Sequence, residues 1–587
     1  MSMKDFRPEV GKLMKTDFDP NFGYRYTIWF DYTKTLMREL RVGDLIAIPN
    51  FSHTAEEKKL SILSLTSIMP FHYATGDDLL GYPTFLEKTR DEAFKDFDQQ
   101  ITESSVDTTK IEVTSAPTGL ELQGSTSYAV AEESQIPIFG GEARVLDQGL
   151  VGMVYNKGLC SEDITLGKLT KGQIDIYLRA EDLIRTHIGV FGYTGTGKSN
   201  LVSTLVDRLL SQKEFVVNVV IFDLMGEYLP LLADVLGRVD GFAGLLEQGS
   251  LSDAVRDFMS GNGDIDKATL GLVNGFQIPP TLRSKGILES YKIKVQSLLS
   301  EGKIKVLSEE TGGLESLLQR TMVTHSPSQE SKQVMGKLFG MFGAKEATPQ
   351  NLVALIKQLE TEHAKPNLKA GTEELLQGWL DAISPLQNMK PFKPSAKYRF
   401  GKLDLVDRLL DSKNKKSSLH IIFADHTDTE RRFAFDVVSN EQHSVYSERR
   451  RRGTNVPLTL FVFDEADDYI PLDPKGTYTQ STQAVETLAR RGRKFGLGAL
   501  IATQRVTYLN TNIMAQPHTY FISKLPRASD RQRVTEAFGI PEDMLRETFK
   551  FRKGDWLIIS HDATGLAGVP IPVHAVNAED RLREELG

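Results

Sequence analysis

The spacing of apolar residues divides the chain into four stretches. Residues 1–175 carry short apolar runs, YRYTIWFDY, DLIAIPNF, LSILSLTSIM and VGMVYN, separated by turn sequences such as RVGD and FGGE. Runs of this length and composition predict strands, here of a small barrel or sandwich. The polar stretch DEAFKDFDQQITESSVDTTK interrupts them and reads as a helix followed by a loop. In 176–230 the order is strand (THIGVF), glycine-rich turn, helix, strand (FVVNVVIF). Leu201, Val202, Leu205, Val206, Leu209 and Leu210 recur at the spacing of one buried helical face.

Residues 231–417 are dominated by helical patterns: ESYKIKVQSLL, GGLESLLQRTM, SKQVMGKLFGMF, TPQNLVALIKQLE and TEELLQGWLDAI. We expect a helical insertion here. From 418 to 575 strands alternate with helices again: LHIIFADH, LTLFVFDE, GALIATQ, TYFISKL and DWLIISH. That alternation predicts a mainly parallel sheet covered on both faces. A short tail, 576–587, follows.

Composition narrows the picture slightly. The 587 residues are 25% charged with a net charge of −8, so there is no general basic field of the kind a histone-like binder presents. Any nucleic acid would meet basic residues gathered locally. A single cysteine, Cys160, excludes an intrachain disulfide and suits a reducing compartment. MSMKDFRPEV lacks the apolar run of a signal peptide. No run approaches the about 18 apolar residues of a membrane span; the longest, FVVNVVIFDL, is broken by Asn218 and Asp223. The expectation is a cytoplasmic protein with no membrane segment.

The chemistry begins at GYTGTGKS, Gly192 to Ser199, which matches G-x-x-x-x-G-K-[ST] between a strand and an amphipathic helix. Gly192, Gly195 and Gly197 allow a tight turn whose N–H groups face phosphate oxygens. The helix N-terminus adds a positive dipole. Lys198 is expected on the β- and γ-phosphates of ATP, and Ser199 on Mg²⁺. Thr194, Thr196 and Asn200 complete the expected nucleotide-binding stretch. A second strand, LTLFVFDE, runs into Asp464 and Glu465. Asp464 is expected to hold Mg²⁺ through a water, and Glu465 to polarise the attacking water. Asp467 and Asp468 read as the acidic first turn of a helix.

Three further elements are candidates. IFDLMGEY ends a strand at Asp223 and continues to Glu227, where a carboxylate can approach the nucleotide or simply cap a turn. GALIATQR ends a strand at Thr503 and Gln504, where an amide can sense the γ-phosphate. TLARRGRKFG follows an apolar stripe of Val485, Leu488, Gly492 and Phe495, with Arg490, Arg493 and Lys494 on the opposite side. An arginine such as Arg490, or Arg185 before the first strand, could stabilise charge on a phosphate across a subunit boundary. SERRRRG, with Arg449 to Arg452, reads as a basic helix end.

The letters DEAD at 464–467 do not make this a DEAD-box helicase. The acidic strand lies far along the chain from the phosphate loop, and too little chain follows it for a second motor domain. There is also no Ser-Ala-Thr motif after the strand and no His-Arg-x-Gly-Arg motif.

Taken together, HIGVFGYTGTGKSN, FDLMGEY, FVFDEADDYIP, LARRGRKFGLGALIATQR and FRKGDWLI resemble the HerA family, in the HerA/FtsK branch of P-loop ATPases, over roughly 175–235 and 418–575. The resemblance implies an α/β fold: a RecA-like P-loop ATPase core with an N-terminal β-barrel and a helical insertion. It implies a homo-hexamer that uses ATP to move double-stranded DNA through its pore. Lys198, Ser199, Asp464 and Glu465 would then serve ATP, Gln504 would sense it, and Arg490 or Arg185 would reach a neighbour's nucleotide. Family members act with a partner nuclease in end processing, or with sirtuin-like or nuclease effectors in anti-phage defence. The loop Pro471–Gln480, with Lys475 and Tyr478, is a candidate lining of the DNA channel. The alternative is a hexameric scaffold in which ATP switches the recruitment of an effector without processive DNA movement.

Overall fold

The computed structural model describes residues 5–19, 23–72, 109–125, 127–246, 251–307, 314, 318, 328–345, 349–384, 394–411, 413, 415–424, 427–452, 456–475, 477–538, 540 and 542–587. Two sheets organise it. The N-terminal sheet contains β1 (Phe6–Asp19), β2 (Gly23–Asp31), β3 (Leu45–Pro49), β4 (Lys58–His72), β5 (Thr109–Gly124), β6 (Ala129–Glu132) and β7 (Glu142–Leu146). Its order is β2-β1-β7-β3-β4-β5-β6, and an additional β2–β5 pairing closes it into a ring. Every pairing is antiparallel. Alternation explains the ring: Tyr26, Ile28 and Phe30 of β2 point inward onto Ile111 and Val113 of β5. The expected barrel is present. Much of the polar stretch 91–110, and most of GGLESLLQRTM, lie outside the described residues.

The second sheet has thirteen strands: β8 (Ile164–Leu169), β9 (Asp175–Leu178), β10 (Ile188–Phe191), β11 (Val217–Asp223), β12 (Asp240–Leu245), β13 (Ile304–Leu307), β14 (Arg399–Phe400), β15 (Ser418–Phe423), β16 (Leu458–Phe463), β17 (Leu497–Thr503), β18 (Thr519–Ile522), β19 (Asp555–Ser560) and β20 (Ile571–Ala575). The order is β14-β13-β12-β15-β11-β16-β17-β10-β18-β19-β20-β8-β9. From β14 to β18 neighbours run parallel, and from β18 to β9 antiparallel. β10, β11, β16 and β17 are buried at every position, as strands covered on both faces should be.

Three expectations change against this frame. VGMVYN is not a strand: it lies in the helix Gln148–Tyr155, because Leu150, Val151, Val154 and Tyr155 form one buried helical face. The 231–417 stretch, expected as a helical insertion, also lays β12, β13 and β14 beside β15. Its helices Gln329–Phe342, Pro349–His363 and Ala370–Ile383 pack around a separate core that includes Trp379. β8, which falls within the stretch expected as the N-terminal domain, pairs with β20 in the large sheet and carries β9 at its edge.

Candidate nucleotide site

In a parallel sheet, chemistry collects where the strands end. β10 ends at Phe191 and passes into the glycine-rich turn; β11, β16 and β17 end alongside it at Asp223, Phe463 and Thr503. Four motifs distant in the chain therefore meet at one edge. Gly195 and Gly197 take positive φ (84° and 97°), which turns the backbone tightly into the helix Lys198–Ser211.

Lys198 is buried, and its Nζ lies 3.0 Å from Glu465 Oε1. The same Oε1 accepts a hydrogen bond from the Gln504 amide, and the Gln504 carbonyl oxygen accepts one from the Thr194 hydroxyl. Lys198, Glu465, Gln504 and Thr194 thus form one chain of contacts. Glu465 itself has φ 47° and ψ 54°, in the left-handed region. On the other side, the Ser199 hydroxyl donates to Glu227.

Asp223 has a different task from a ligand. Its carboxylate accepts the N–H groups of Gly226 (2.8 Å), Glu227 (3.1 Å) and Tyr228 (3.0 Å), so it shapes the turn that presents Glu227. Burial pushes its carboxyl up to about 6, against those hydrogen bonds. Asp467 accepts the Thr503 hydroxyl at 2.8 Å, which ties the end of β16 to the end of β17; it lies in a short 3₁₀ turn, Ala466–Asp468. Asp464 is buried and its Oδ1 has no hydrogen-bond partner. Burial drives its carboxyl up to about 7; Lys198 opposes the shift, and Glu465, Asp223 and Glu227 add to it. An orphaned carboxylate oxygen in an acidic cluster is the arrangement a divalent cation would relieve. No cluster of three His, Cys, Asp or Glu among the described residues could hold a metal unaided, so Asp464 and Ser199 would need phosphate oxygens to complete the coordination of Mg²⁺.

The arginines lie elsewhere. Arg185 ends the helix Ala180–Arg185 just before β10, and Arg490 and Arg493 lie just before β17, so all three sit at the sheet edge opposite the phosphate loop. Arg185 pairs with Glu181 at 2.6 Å and reaches the Arg493 carbonyl at 3.4 Å. Arg490 is exposed, 3.5 Å from Glu486. Arg449 donates to the Lys494 carbonyl at 3.3 Å. Lys475 is exposed beside Asp473 (3.3 Å), whereas Tyr478 lies under the Arg431 guanidinium, 3.8 Å from its ring centre. Those two side chains are not brought together with the phosphate loop.

Two contacts escaped sequence reasoning. Asn577, which caps the C-terminal helix Ala578–Leu586, hydrogen-bonds the Asn200 side chain, and Asn200 Oδ1 accepts the Ala578 N–H at 2.7 Å. The Gly554 N–H donates to the Thr196 carbonyl at 3.1 Å. The glycine in FRKGDW was the available signal: Gly554 has φ 91° at a close approach of two backbones.

A family model described as Helicase HerA, central domain (DUF87), matches residues 164–431. The chain is 23% identical over 444 residues to the DNA double-strand break repair helicase HerA of Pyrococcus furiosus, covering 73% of this chain and 72% of the relative. The chain is thus similar to HerA helicases, both in this central domain and over 73% of its length. The HerA of Sulfolobus acidocaldarius is 22% identical over 440 residues, covering 72% and 71%. A solved VirB4 from Thermoanaerobacter pseudethanolicus aligns at 14% identity and a TM-score of 0.36, covering 71% of this chain and 97% of its own. The HerA match runs through 231–417, the stretch whose strands extend the large sheet.

Proposed function

We propose that this chain is a HerA-like motor that hydrolyses ATP to translocate double-stranded DNA. The observation that carries the reading is the meeting of Lys198, Glu465 and Gln504 at adjacent strand ends, with Ser199 and Glu227 beside them. Lys198 and the N–H groups of the glycine-rich turn take the phosphates. Glu465 takes a proton from the attacking water, and Gln504 holds Glu465 in register with Thr194. Ser199 and, through a water, Asp464 would hold Mg²⁺, which would neutralise phosphate charge.

Arg185, Arg490 and Arg493 stand at the far sheet edge, out of reach of their own chain's phosphate loop. Their use for phosphate requires a second copy, which supports a homo-hexameric ring with sites between subunits. No helix among the described residues is long and apolar enough to cross a membrane. We further propose a separate effector, a nuclease or sirtuin-like enzyme, acting in DNA end processing or anti-phage defence.

ATP turnover measured with and without duplex DNA, together with the mass of the assembly, tests the motor. DNA should raise turnover, the mass should be that of six chains, and Lys198→Ala should abolish turnover. If DNA leaves turnover unchanged while Lys198→Ala still silences a partner effector, the protein is an ATP-switched scaffold instead.

A further inference from the structure

The strand order gives the nucleotide a direction. Glu465 and Gln504 follow β16 and β17, which lie on one side of β10; β18, β19 and β20 lie on the other. A nucleoside triphosphate whose terminal phosphate meets Lys198 and Glu465 must extend its α-phosphate and nucleoside toward the β18–β20 side. That side is walled by residues 551–555, the turn leading into β19. β19 runs antiparallel to β18, so its first residues stand beside the end of β18, at the same sheet edge as the phosphate loop.

This turn is fastened to the loop. Gly554 N–H donates to the Thr196 carbonyl at 3.1 Å, and the Gly554 carbonyl accepts the Ala575 N–H at 2.9 Å. Ser523 Oγ donates to the Asp555 carbonyl at 3.0 Å, and Asp555 pairs with His574 at 2.6 Å. The turn therefore carries Lys553 at a fixed place over Gly197. A Cβ placed on Gly197 would lie 3.9 Å from Lys553 Cγ and 3.7 Å from Gly554 N. The Lys553 side chain is 66% exposed, and its ammonium rests 3.8 Å from Glu579 Oε1 in the first turn of the C-terminal helix. Glu579 also accepts the Thr281 hydroxyl, so its carboxylate has a second partner when the lysine leaves. At 3.8 Å the pair is a loose one: the lysine is exposed, and the largely buried carboxylate keeps its other hydrogen bond when the lysine swings away.

We propose that Lys553 binds the α-phosphate of the nucleotide seated on loop 192–199, and that Glu579 holds its ammonium until the phosphate arrives. The inference rests on the reading of that loop as a nucleotide site. The ligand class is nucleoside di- and triphosphates alike, since both carry the α-phosphate. Lys553 precedes β19, on the opposite side of β10 from Glu465 and Gln504, so it acts on binding and leaves the chemical step alone. Binding lost equally from ground and transition state raises KM with kcat unchanged.

The test is the binding of ADP, ATP and adenosine to the full chain, with steady-state ATP kinetics. Lys553→Ala should weaken ADP and ATP about tenfold, the loss of one charged contact, raise KM for ATP similarly, and leave kcat and adenosine binding unchanged. Lys553→Arg should restore most of the loss. Glu579→Gln should tighten ADP. Wild-type ADP affinity retained in Lys553→Ala overturns the proposal, as does a fall in kcat with KM unchanged. Thermal melts without nucleotide verify that the variants fold. If the wild-type chain itself fails to bind ADP, the nucleotide reading of the loop falls; if it binds and Lys553→Ala binds equally, only the role of Lys553 falls.

Discussion

Glu465 occupies the ammonium of Lys198, 3.0 Å away, and on the proposed reading a terminal phosphate needs that same ammonium. Phosphate and carboxylate therefore compete for one cation. Glu465→Gln removes the competitor and the proposed proton acceptor together. Turnover should fall by roughly 10²–10⁴-fold, the usual share of a general base, while ATP affinity holds or improves. Steady-state rates and equilibrium ATP binding on the same variant check both halves; a weakened affinity with normal turnover would contradict the assignment.

Gly498 of β17 packs flat under the helix that precedes β10. A Cβ there would lie 2.0 Å from the Ile184 carbonyl oxygen, and backbone gives way poorly. Gly498→Ala should destabilise the fold by about 1–3 kcal/mol, as overpacking does. Gly286, on an exposed helical surface with nothing within 4 Å of a Cβ, is the control. Gly286→Ala should be stabilising by up to about 1 kcal/mol through helix propensity. Denaturant midpoints of the two variants provide the comparison.

Glu441 is buried in the helix Thr427–Arg452 and accepts the Thr459 hydroxyl at 2.6 Å. Burial pushes its carboxyl up to about 8. The folded state thus holds a proton that the unfolded chain releases above the ordinary carboxylate range. The contribution of this group is full below the unfolded value and is lost as pH rises toward about 8. Glu441→Gln has no such proton to lose. Its stability relative to the parent should increase steadily from pH 5 to about 8, measured as the difference in denaturant midpoint, and should be flat if Glu441 is charged in the fold.

Legibility followed range. GYTGTGKS could be read because its strand, turn and helix are adjacent in the chain, and LTLFVFDE because a fully buried strand ending in acids is a strong local pattern. VGMVYN misled because valine and tyrosine favour strands, while its helical face shows only when Leu150 joins it. β12, β13 and β14 were hidden by their shortness and by the strongly helical residues between them; pairing with β15 on one side and β13 on the other makes DGFAGL a strand. Lys553 and Asn577 reach the phosphate loop through tertiary packing across more than half the chain, which no window of sequence displays.

Glu465 sits in a backbone shape that suits glycine or asparagine, and holding any other side chain there costs roughly 1–2 kcal/mol. By backbone alone, a glutamate would be a poor occupant. Glu465→Gly relieves that strain but leaves the buried Lys198 ammonium and the Gln504 amide without their shared partner, so the variant should gain no resistance to heat: the awkward backbone is the condition for keeping this lysine accompanied.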